Sequence, residues 1–462
     1  MAGAGTRYTH RQAHEEALPV SDFDAIIIGT GAAGQTVAAE LARAGRQVAI
    51  VDEREYGGTC ALRGCEPKKV LVQAAEVVER AAAQQGNGVA GELRLDWPAL
   101  IAFKRTFTGS TPQGVEDYLK GMGVETLHGR ARFTGPASVA VGDEEHTAAH
   151  VVIATGARPR PLGIPGEDLV TTSEQLMAAE RLGRRVVFLG GGYVSMEFAH
   201  VAAAAGAAVT VVHRGAHVLA GFDPDLADLL VDGYREAGID VRLSAPVGAV
   251  EREGDALAVV LEDGERVPAD LVVHGAGRVP DLDGLDLAAA GVTVRRRGVE
   301  VDDHLRSVSN PQVWAVGDAA ARGLPLTPVA TIQGGVAAAN VLGGDRVFDP
   351  AVTPSVAFTD PPLAGVGLIE AQAVAQGLAV SGSVVDTTGW ASSRRVGARA
   401  AGAKVLVDKA TGRVVGAHLL GHHAEDVINV FAVAMTAGLT VADLMALPWA
   451  YPTGEWEIRY LV

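Results

Sequence analysis

Cysteine is almost absent: the chain has 462 residues and two cysteines, Cys60 and Cys65. Two thiols cannot staple a chain of this length, which excludes a disulfide-framed secreted scaffold. Aromatic residues are also sparse, at 10 Phe, 7 Tyr and 5 Trp. Basic charge is in deficit, with 39 Lys and Arg against 55 Asp and Glu, a formal net charge of −16. A phosphate backbone would be repelled by that balance, so nucleic acid is not an expected partner. No long apolar run is present either. The most lipid-like stretch, Phe198 to Val212, is Ala-rich, is interrupted by His200, and falls short of the roughly 20 strongly apolar residues that a membrane span needs. Residues 1–21 are polar and charged, lack the apolar core of a signal peptide, and read as a flexible leader. A reducing cytoplasm is the expected setting.

Glycine, by contrast, is abundant. Its 57 residues are about 12% of the chain, against a usual ~7%, without the period of collagen. Hydrophobic residues at 48% exclude a disordered chain, and the length suggests about three domains at roughly 150 residues each.

The glycines have a pattern. An apolar run, Ala25 to Ile28, reads as a buried parallel strand. It leads into Gly29-Thr30-Gly31-Ala32-Ala33-Gly34, a helical segment, and a second strand, Val48 to Val51, that closes on Asp52. The first glycine permits a tight turn, the second lets backbone approach a pyrophosphate, and the third lets helix and strand pack closely. Asp52, 23 residues after Gly29, stands where an acid binds ribose hydroxyls. The same pattern returns at Val186 to Leu189, Gly190-Gly191-Gly192-Tyr193-Val194-Ser195, and Val209 to Val212. Here the third small residue is Ser195, and the second strand is followed by His213-Arg214 instead of a carboxylate. A missing acid with an arginine nearby favours a 2′-phosphate, hence NADPH over NADH. An arginine that merely caps a strand end is the alternative.

The two cysteines lie five apart in Gly57-Gly58-Thr59-Cys60-Ala61-Leu62-Arg63-Gly64-Cys65-Glu66-Pro67-Lys68-Lys69. Two thiols without a second Cys/His cluster make a poor zinc site. A buried structural pair is the other reading, but nearby cations and a helix N-terminus would lower a thiol pKa and supply thiolate.

With these segments in order, the sequence resembles the class I flavoprotein disulfide reductases of the glutathione reductase, lipoamide dehydrogenase and mercuric reductase type, from Asp24 to the C-terminus. The matching motifs are Gly57 to Lys69, Ala154-Thr155-Gly156, Gly190 to Glu197, Gly277-Arg278-Val279-Pro280, and Ala315-Val316-Gly317-Asp318 followed by Leu326-Thr327-Pro328-Val329-Ala330. The resemblance implies an α/β fold with two Rossmann-like dinucleotide-binding domains and an α+β C-terminal dimerisation domain. Its implied boundaries are an FAD domain at 22–156 and 278–347, an NAD(P) domain at 157–277, and a dimerisation domain at 348–462.

It implies FAD at Gly29, Gly31, Gly34, Asp52, Gly58, Thr59, Gly129, Ala131, Thr155, Gly156, Arg278, Asp318 and Thr327. NADPH is implied at Gly190, Gly192, Tyr193, Ser195, Arg214 and Gly277, with Tyr193 gating the nicotinamide pocket. Lys68 and Glu197 are implied to pair beside flavin N5. Hydride from NADPH would pass through the flavin to the Cys60–Cys65 disulfide. Cys65 would then be the thiolate nearer the flavin, and Cys60, the more exposed, would attack the substrate.

One motif departs. Disulfide-reducing members carry His-Pro-Thr with a Glu five residues after the His, contributed by the partner subunit. This chain has Tyr451-Pro452-Thr453-Gly454-Glu455-Trp456-Glu457, with Tyr451 at the His position and Trp456 at the Glu position, leaving Glu455 as a neighbouring carboxylate. A phenol titrating near ~10 cannot shuttle protons as an imidazole does. Ala39 and Gly335 stand where glutathione reductases place substrate-binding arginines. The expected enzyme is therefore an NADPH-dependent, FAD-containing homodimer acting on a non-glutathione small molecule. A mercuric-type metal-ion reductase, suggested by Tyr451, and a quinone or oxygen diaphorase are its alternatives. Glu66, beside Cys65, either tunes the pair or faces solvent. His422 and His423, as chain neighbours, read as surface or interface residues, and no resident metal is expected.

Overall fold

The computed structural model describes residues 21–462, so the leader expected at 1–21 lies almost wholly outside the described residues. The strand Phe23–Ile28 is a near-continuous apolar run because both of its faces are covered. Ala25 and Ile27 join one core with the helices Ala32–Arg43 and Thr327–Val341, whereas Ile26 and Ile28 join the opposite one with Phe133, Val139 and Val299. Ile27 is fully buried, and truncating it to Ala costs about 3 kcal/mol in lost transfer energy and cavity formation. Its sheet has seven strands, in the order Glu125–His128, Val48–Asp52, Phe23–Ile28, Glu144–Ile153, Ser138–Val141 and Ala131–Phe133; Val313–Ala315 adds in parallel to Glu144–Ile153. Pairing from Glu125–His128 to Glu144–Ile153 is parallel, as a βαβ reading requires.

The second glycine pattern builds a four-stranded parallel sheet, Asp240–Arg242, Ala208–Val212, Arg185–Leu189 and Leu271–His274. A three-stranded antiparallel sheet, Val247–Glu253, Ala256–Leu261 and Arg266–Ala269, covers one of its faces with Val250, Val259 and Val267. The helices Tyr193–Ala204 and Pro224–Glu236 cover the other. The lipid-like stretch is thus a buried helix and a strand of this unit. No helix among the described residues is long and apolar enough to cross a membrane.

Further along, Ser355–Ala357, Leu363–Gly367, Val414–Leu420, Gly402–Asp408 and Val380–Ser381 form an antiparallel sheet, with Val385–Asp386 added on Gly402–Asp408. The helix Ala424–Ala437 packs on it through Val427, Ile428 and Phe431. The mixed α/β architecture agrees with the expectation.

Candidate active site

Each glycine of the first loop has a separate steric task. A Cβ on Gly29, at φ +108, would lie 2.3 Å from Ala154 O, and one on Gly34 would lie 2.0 Å from Gly29 O. One on Gly31 would meet nothing within 4 Å. Two glycines are therefore filled by the fold, while the middle one faces open space, as close approach of a ligand's pyrophosphate requires. Gly58, at φ +71, seats its α-carbon against the same loop; a Cβ there would lie 2.4 Å from Gly31 Cα. Asp52 steadies the loop, its Oδ2 accepting from Thr30 N–H at 2.9 Å and Thr30 Oγ1 at 2.6 Å. Gly129, at φ +141, donates its N–H to Asp52 O at 2.9 Å and leads into the strand of Ala131. Thr155 Oγ1 is buried without a hydrogen-bond partner. The half-buried Asp318 carboxyl sits above its ordinary pKa through burial, opposed by Arg278. An orphaned hydroxyl, a partly desolvated carboxyl and an open glycine, each just past the C-terminal end of one of three neighbouring parallel strands, suit a polar dinucleotide such as FAD.

The redox pair straddles a broken helix. Thr59 and Cys60 lie in the helix Gly58–Arg63, and Cys65 opens the helix Cys65–Ala83, which also carries Lys68 and Lys69. Gly64 makes the break, since a Cβ there would lie 2.9 Å from Thr59 O. Both cysteines are free thiols. The Cys60 thiol donates to Cys65, and Thr327 Oγ1 lies 3.7 Å from Cys65 Sγ. Against some desolvation, these contacts and the Lys68 charge hold the Cys65 thiol down at about 6. The same hydrogen bond, then burial and the Cys65 and Glu66 charges push Cys60 far up. Cys65 is thus the more acidic thiol of the pair. Cys60 is half-buried and Cys65 is exposed. Cys60 lies inside the short helix and Cys65 at the start of the next one, and Thr327 stands beside both. Glu66 is exposed.

Behind Cys65, Lys68 Nζ lies 2.6 Å from Glu197 Oε2, with exposures of 10% and 2% for the two side chains. A pair this dry persists only because each charge answers the other. Lys69 Nζ lies 3.5 Å from the same oxygen, and Phe358 N–H donates to Glu197 Oε1 at 3.1 Å. Burial lowers Lys69 to about 8. The Tyr193 ring, at the start of the Glu197 helix, lies 5.0 Å from Lys68 Nζ. Lys69 and Phe358 were not among the expected site residues. The paired lysines signalled the first, but nothing local signals Phe358, which is 161 residues from Glu197.

In the second loop, Gly190, at φ +99, would put a Cβ 2.6 Å from Gly275 O, and Gly192 one 3.3 Å from it. Ser195 is fully buried, and its hydroxyl allows only glycine at 275, where a Cβ would be 1.8 Å away. Gly277, at φ +104, precedes Arg278, which donates to Ala157 O. His213 folds back onto the loop: its Nδ1 accepts from Gly191 N–H at 3.0 Å and its Nε2 donates to His217 O at 3.0 Å. That pattern needs a neutral imidazole, and burial keeps its pKa low. Arg214, next along, is exposed and has no ion pair among the described residues.

The C-terminal motif stands apart. Tyr451 is 75% exposed and packs edge-on against Trp456 at 5.1 Å. Thr453 and Glu455 line a cavity of about 520 Å³ with Trp390, His422, His423 and Asp426, a lining that holds neither cysteine. The His422 and His423 rings are 3.7 Å apart, and His423, not His422, lies with Glu425 and Asp426 in a group spaced for a metal ion.

Residues 23–334 match the pyridine nucleotide-disulphide oxidoreductase family, and 353–460 match its dimerisation domain. A glutathione reductase of Burkholderia cepacia is 36% identical over 437 residues, covering 94% of this chain and 96% of that one. A mercuric reductase of Streptomyces lividans is 35% identical over 442 residues, 92% of each. Among solved structures, the Cu(II) complex of the HOCl-induced flavoprotein disulfide reductase RclA from Escherichia coli superposes with a TM-score of 0.86 at 28% identity, covering 96% of this chain and 99% of that one. Glycine loops, thiol pair and matched dimerisation region together place this chain in the class I pyridine nucleotide-disulfide oxidoreductases, FAD-dependent enzymes whose members include glutathione reductases and mercuric reductases.

Proposed function

We propose that the chain is an NADPH-dependent oxidoreductase that passes electrons through a Cys60–Cys65 disulfide to a small-molecule acceptor other than glutathione. The observation that carries this reading is the dry Lys68–Glu197 pair one helical turn behind a Cys65 thiol held at about 6. When bound, FAD supplies two-electron acceptance from the nicotinamide and delivery to the disulfide. Gly29, Gly31, Gly34, Asp52, Thr155 and Asp318 bind and orient it. Lys68 keeps a fixed positive charge where the Cys65 thiolate forms, and Cys60 passes its proton to that thiolate, its hydrogen-bond partner, as it attacks the acceptor.

Arg214 favours NADPH because it is free to pair with a 2′-phosphate, and His213 leaves no carboxylate to repel one. Loss of that charge-assisted contact costs about 2 kcal/mol, so Arg214→Ala should raise KM for NADPH about 30-fold and leave NADH nearly unchanged. The non-glutathione reading rests on Tyr451 at the histidine position and on Ala39 and Gly335 at the arginine positions.

Rapid-mixing reduction with NADPH tests the core of the proposal. It should yield a long-wavelength thiolate–flavin absorbance that Cys65→Ser abolishes, and persistence of the band in that variant refutes the assignment. NADPH consumption against low-molecular-weight disulfides, Hg(II), Cu(II) and quinones then sorts the acceptors, with Tyr451→His expected to gain disulfide activity. A second reading, reduction of a soft metal ion at the thiol pair, is favoured by Tyr451 and by the likeness to a mercuric reductase and to a Cu(II)-bound reductase. Failure of metal ions to stimulate NADPH oxidation removes it.

A further inference from the structure

His200 is a buried titratable group that the reaction just described does not use. It is 1% exposed and stands one turn after Glu197 on the helix Tyr193–Ala204. Its Nε2 lies 3.3 Å from Phe358 O, and its Nδ1 lies 3.2 Å from Glu79 Oε2. Glu79 belongs to the helix Cys65–Ala83, which also carries Lys68. The Phe358 backbone is therefore held at both of its flanking peptide groups, its carbonyl by His200 and its N–H by Glu197 Oε1 at 3.1 Å. Lys69 adds a third hold, its Nζ lying over the Phe358 ring.

We propose that His200 is a positioning residue for this reaction: through the Phe358 backbone it fixes Glu197, and with it Lys68, behind Cys65. The inference rests on the thiol-pair reading above.

Proton accounting shows how the device works. A carbonyl oxygen only accepts, so Nε2 must carry a proton. The Nδ1–Glu79 contact needs a second proton, on the imidazole or on a carboxyl. The other groups facing the cluster are Asp360 and Arg399, with Tyr234 from the helix Pro224–Glu236, whose phenol donates to Met196 O at 2.8 Å. Burial opposes the His200 charge, but Glu79, Asp360 and the Phe358 carbonyl outweigh it and raise the pKa from its ordinary value. Burial, and then the Glu79 charge, hold Asp360 up at about 6. Below its raised pKa, His200 donates to both partners. As pH rises through that pKa one donor is lost, and Glu79 and Phe358 compete for the other. When Phe358 loses, Glu197 and Lys68 are freed to move.

Two readouts test the proposal on dithiol-reduced or NADPH-reduced holoenzyme. The first is the midpoint pH for alkylation of Cys65 by iodoacetamide. His200→Ala should raise it by about half a unit, lowering the thiolate fraction at pH 5 about threefold. His200→Gln, which keeps an N–H donor for Phe358, should restore it. The second is the pH dependence of the long-wavelength absorbance. The wild type should show an alkaline inflection that disappears in His200→Gln. In Glu79→Gln, a change at a less buried side chain, it should move to lower pH, because the amide no longer holds the second proton. Wild-type midpoints in both His200 variants, together with an inflection that survives in His200→Gln and stays in place in Glu79→Gln, would overturn the inference. Absence of the absorbance from the wild type would instead count against the functional reading, leaving the alkylation arm to judge His200.

Discussion

The hydrogen bond from Cys60 is the largest influence that lowers the Cys65 thiol to about 6. At pH 7 a thiol of that pKa is about 90% thiolate, whereas an ordinary cysteine near 8.5 is about 3% ionised. Cys60→Ala removes the donor and leaves Thr327 and Lys68 as the remaining stabilising groups. The midpoint should rise by one unit or more, dropping the thiolate at pH 7 to about half or less. Cys60→Ser keeps an O–H donor and should hold the midpoint near the wild-type value. A single alkylation rate at pH 7 is a poor assay of this change. Nucleophilicity rises as pKa rises, with a Brønsted slope of about 0.4–0.5, so a two-unit shift that cuts thiolate some tenfold also makes each thiolate about eightfold more reactive. The midpoint of thiolate absorbance near ~240 nm against pH avoids that cancellation. A Cys60→Ala midpoint within half a unit of wild type, or equal shifts in the Ala and Ser variants, would refute the claim that the Cys60 thiol makes Cys65 acidic.

Two further perturbations separate binding from folding. Gly31→Ala meets open space, so melting of the cofactor-stripped protein should be unchanged while FAD affinity, followed by flavin fluorescence, falls at least tenfold; Gly34→Ala, driven against Gly29 O at 2.0 Å, should destabilise the chain by about 1–3 kcal/mol in denaturant unfolding. Lys404, 5% exposed, lies 2.8 Å from both Asp225 and Glu370 and 3.4 Å from the fully buried Asp223. Lys404→Ala leaves Asp223 buried and unpaired and should cost about 3–5 kcal/mol by the same measurement.

Much of this architecture is legible in the sequence because the relevant constraints are local. Gly29, Gly31 and Gly34 are spaced by a single turn, and the strand Phe23–Ile28 advertises its double burial by having no polar face. Cys60 and Cys65 flank the glycine that breaks their helix. What escapes a linear reading is set by tertiary packing. His213 reads only as a missing acid, although it returns to the Gly191 N–H as a neutral acceptor. The hold on Glu197 comes through a backbone amide at Phe358, where side-chain identity carries no signal, and His200 reads merely as the polar interruption of an apolar stretch. Its partners Glu79 and Phe358 are 121 and 158 residues away.

Tyr451 poses the remaining structural question, because its segment and the thiol pair sit in different parts of one chain. Among the described residues, the hydrogen bonds and charges that act on Cys60 and Cys65 come from one another, Thr327, Glu66, Lys68 and Glu197, not from 450–457. Tyr451 projects outward at 75% exposure from the region that matches the dimerisation domain. If it serves the chemistry, it must reach the cysteines of a second copy. Mixing Cys65→Ser with Tyr451→Ala protomers tests this. Each mixed dimer then holds one site with an intact Cys65 from one chain and an intact Tyr451 from the other. Random pairing makes half of the dimers mixed, so NADPH-driven turnover should recover to about a quarter of wild type, where each parent alone is inactive. Cis action of Tyr451 predicts no recovery, since every site would then carry one lesion. Full activity in the Tyr451→Ala parent would remove the phenol from the reaction altogether.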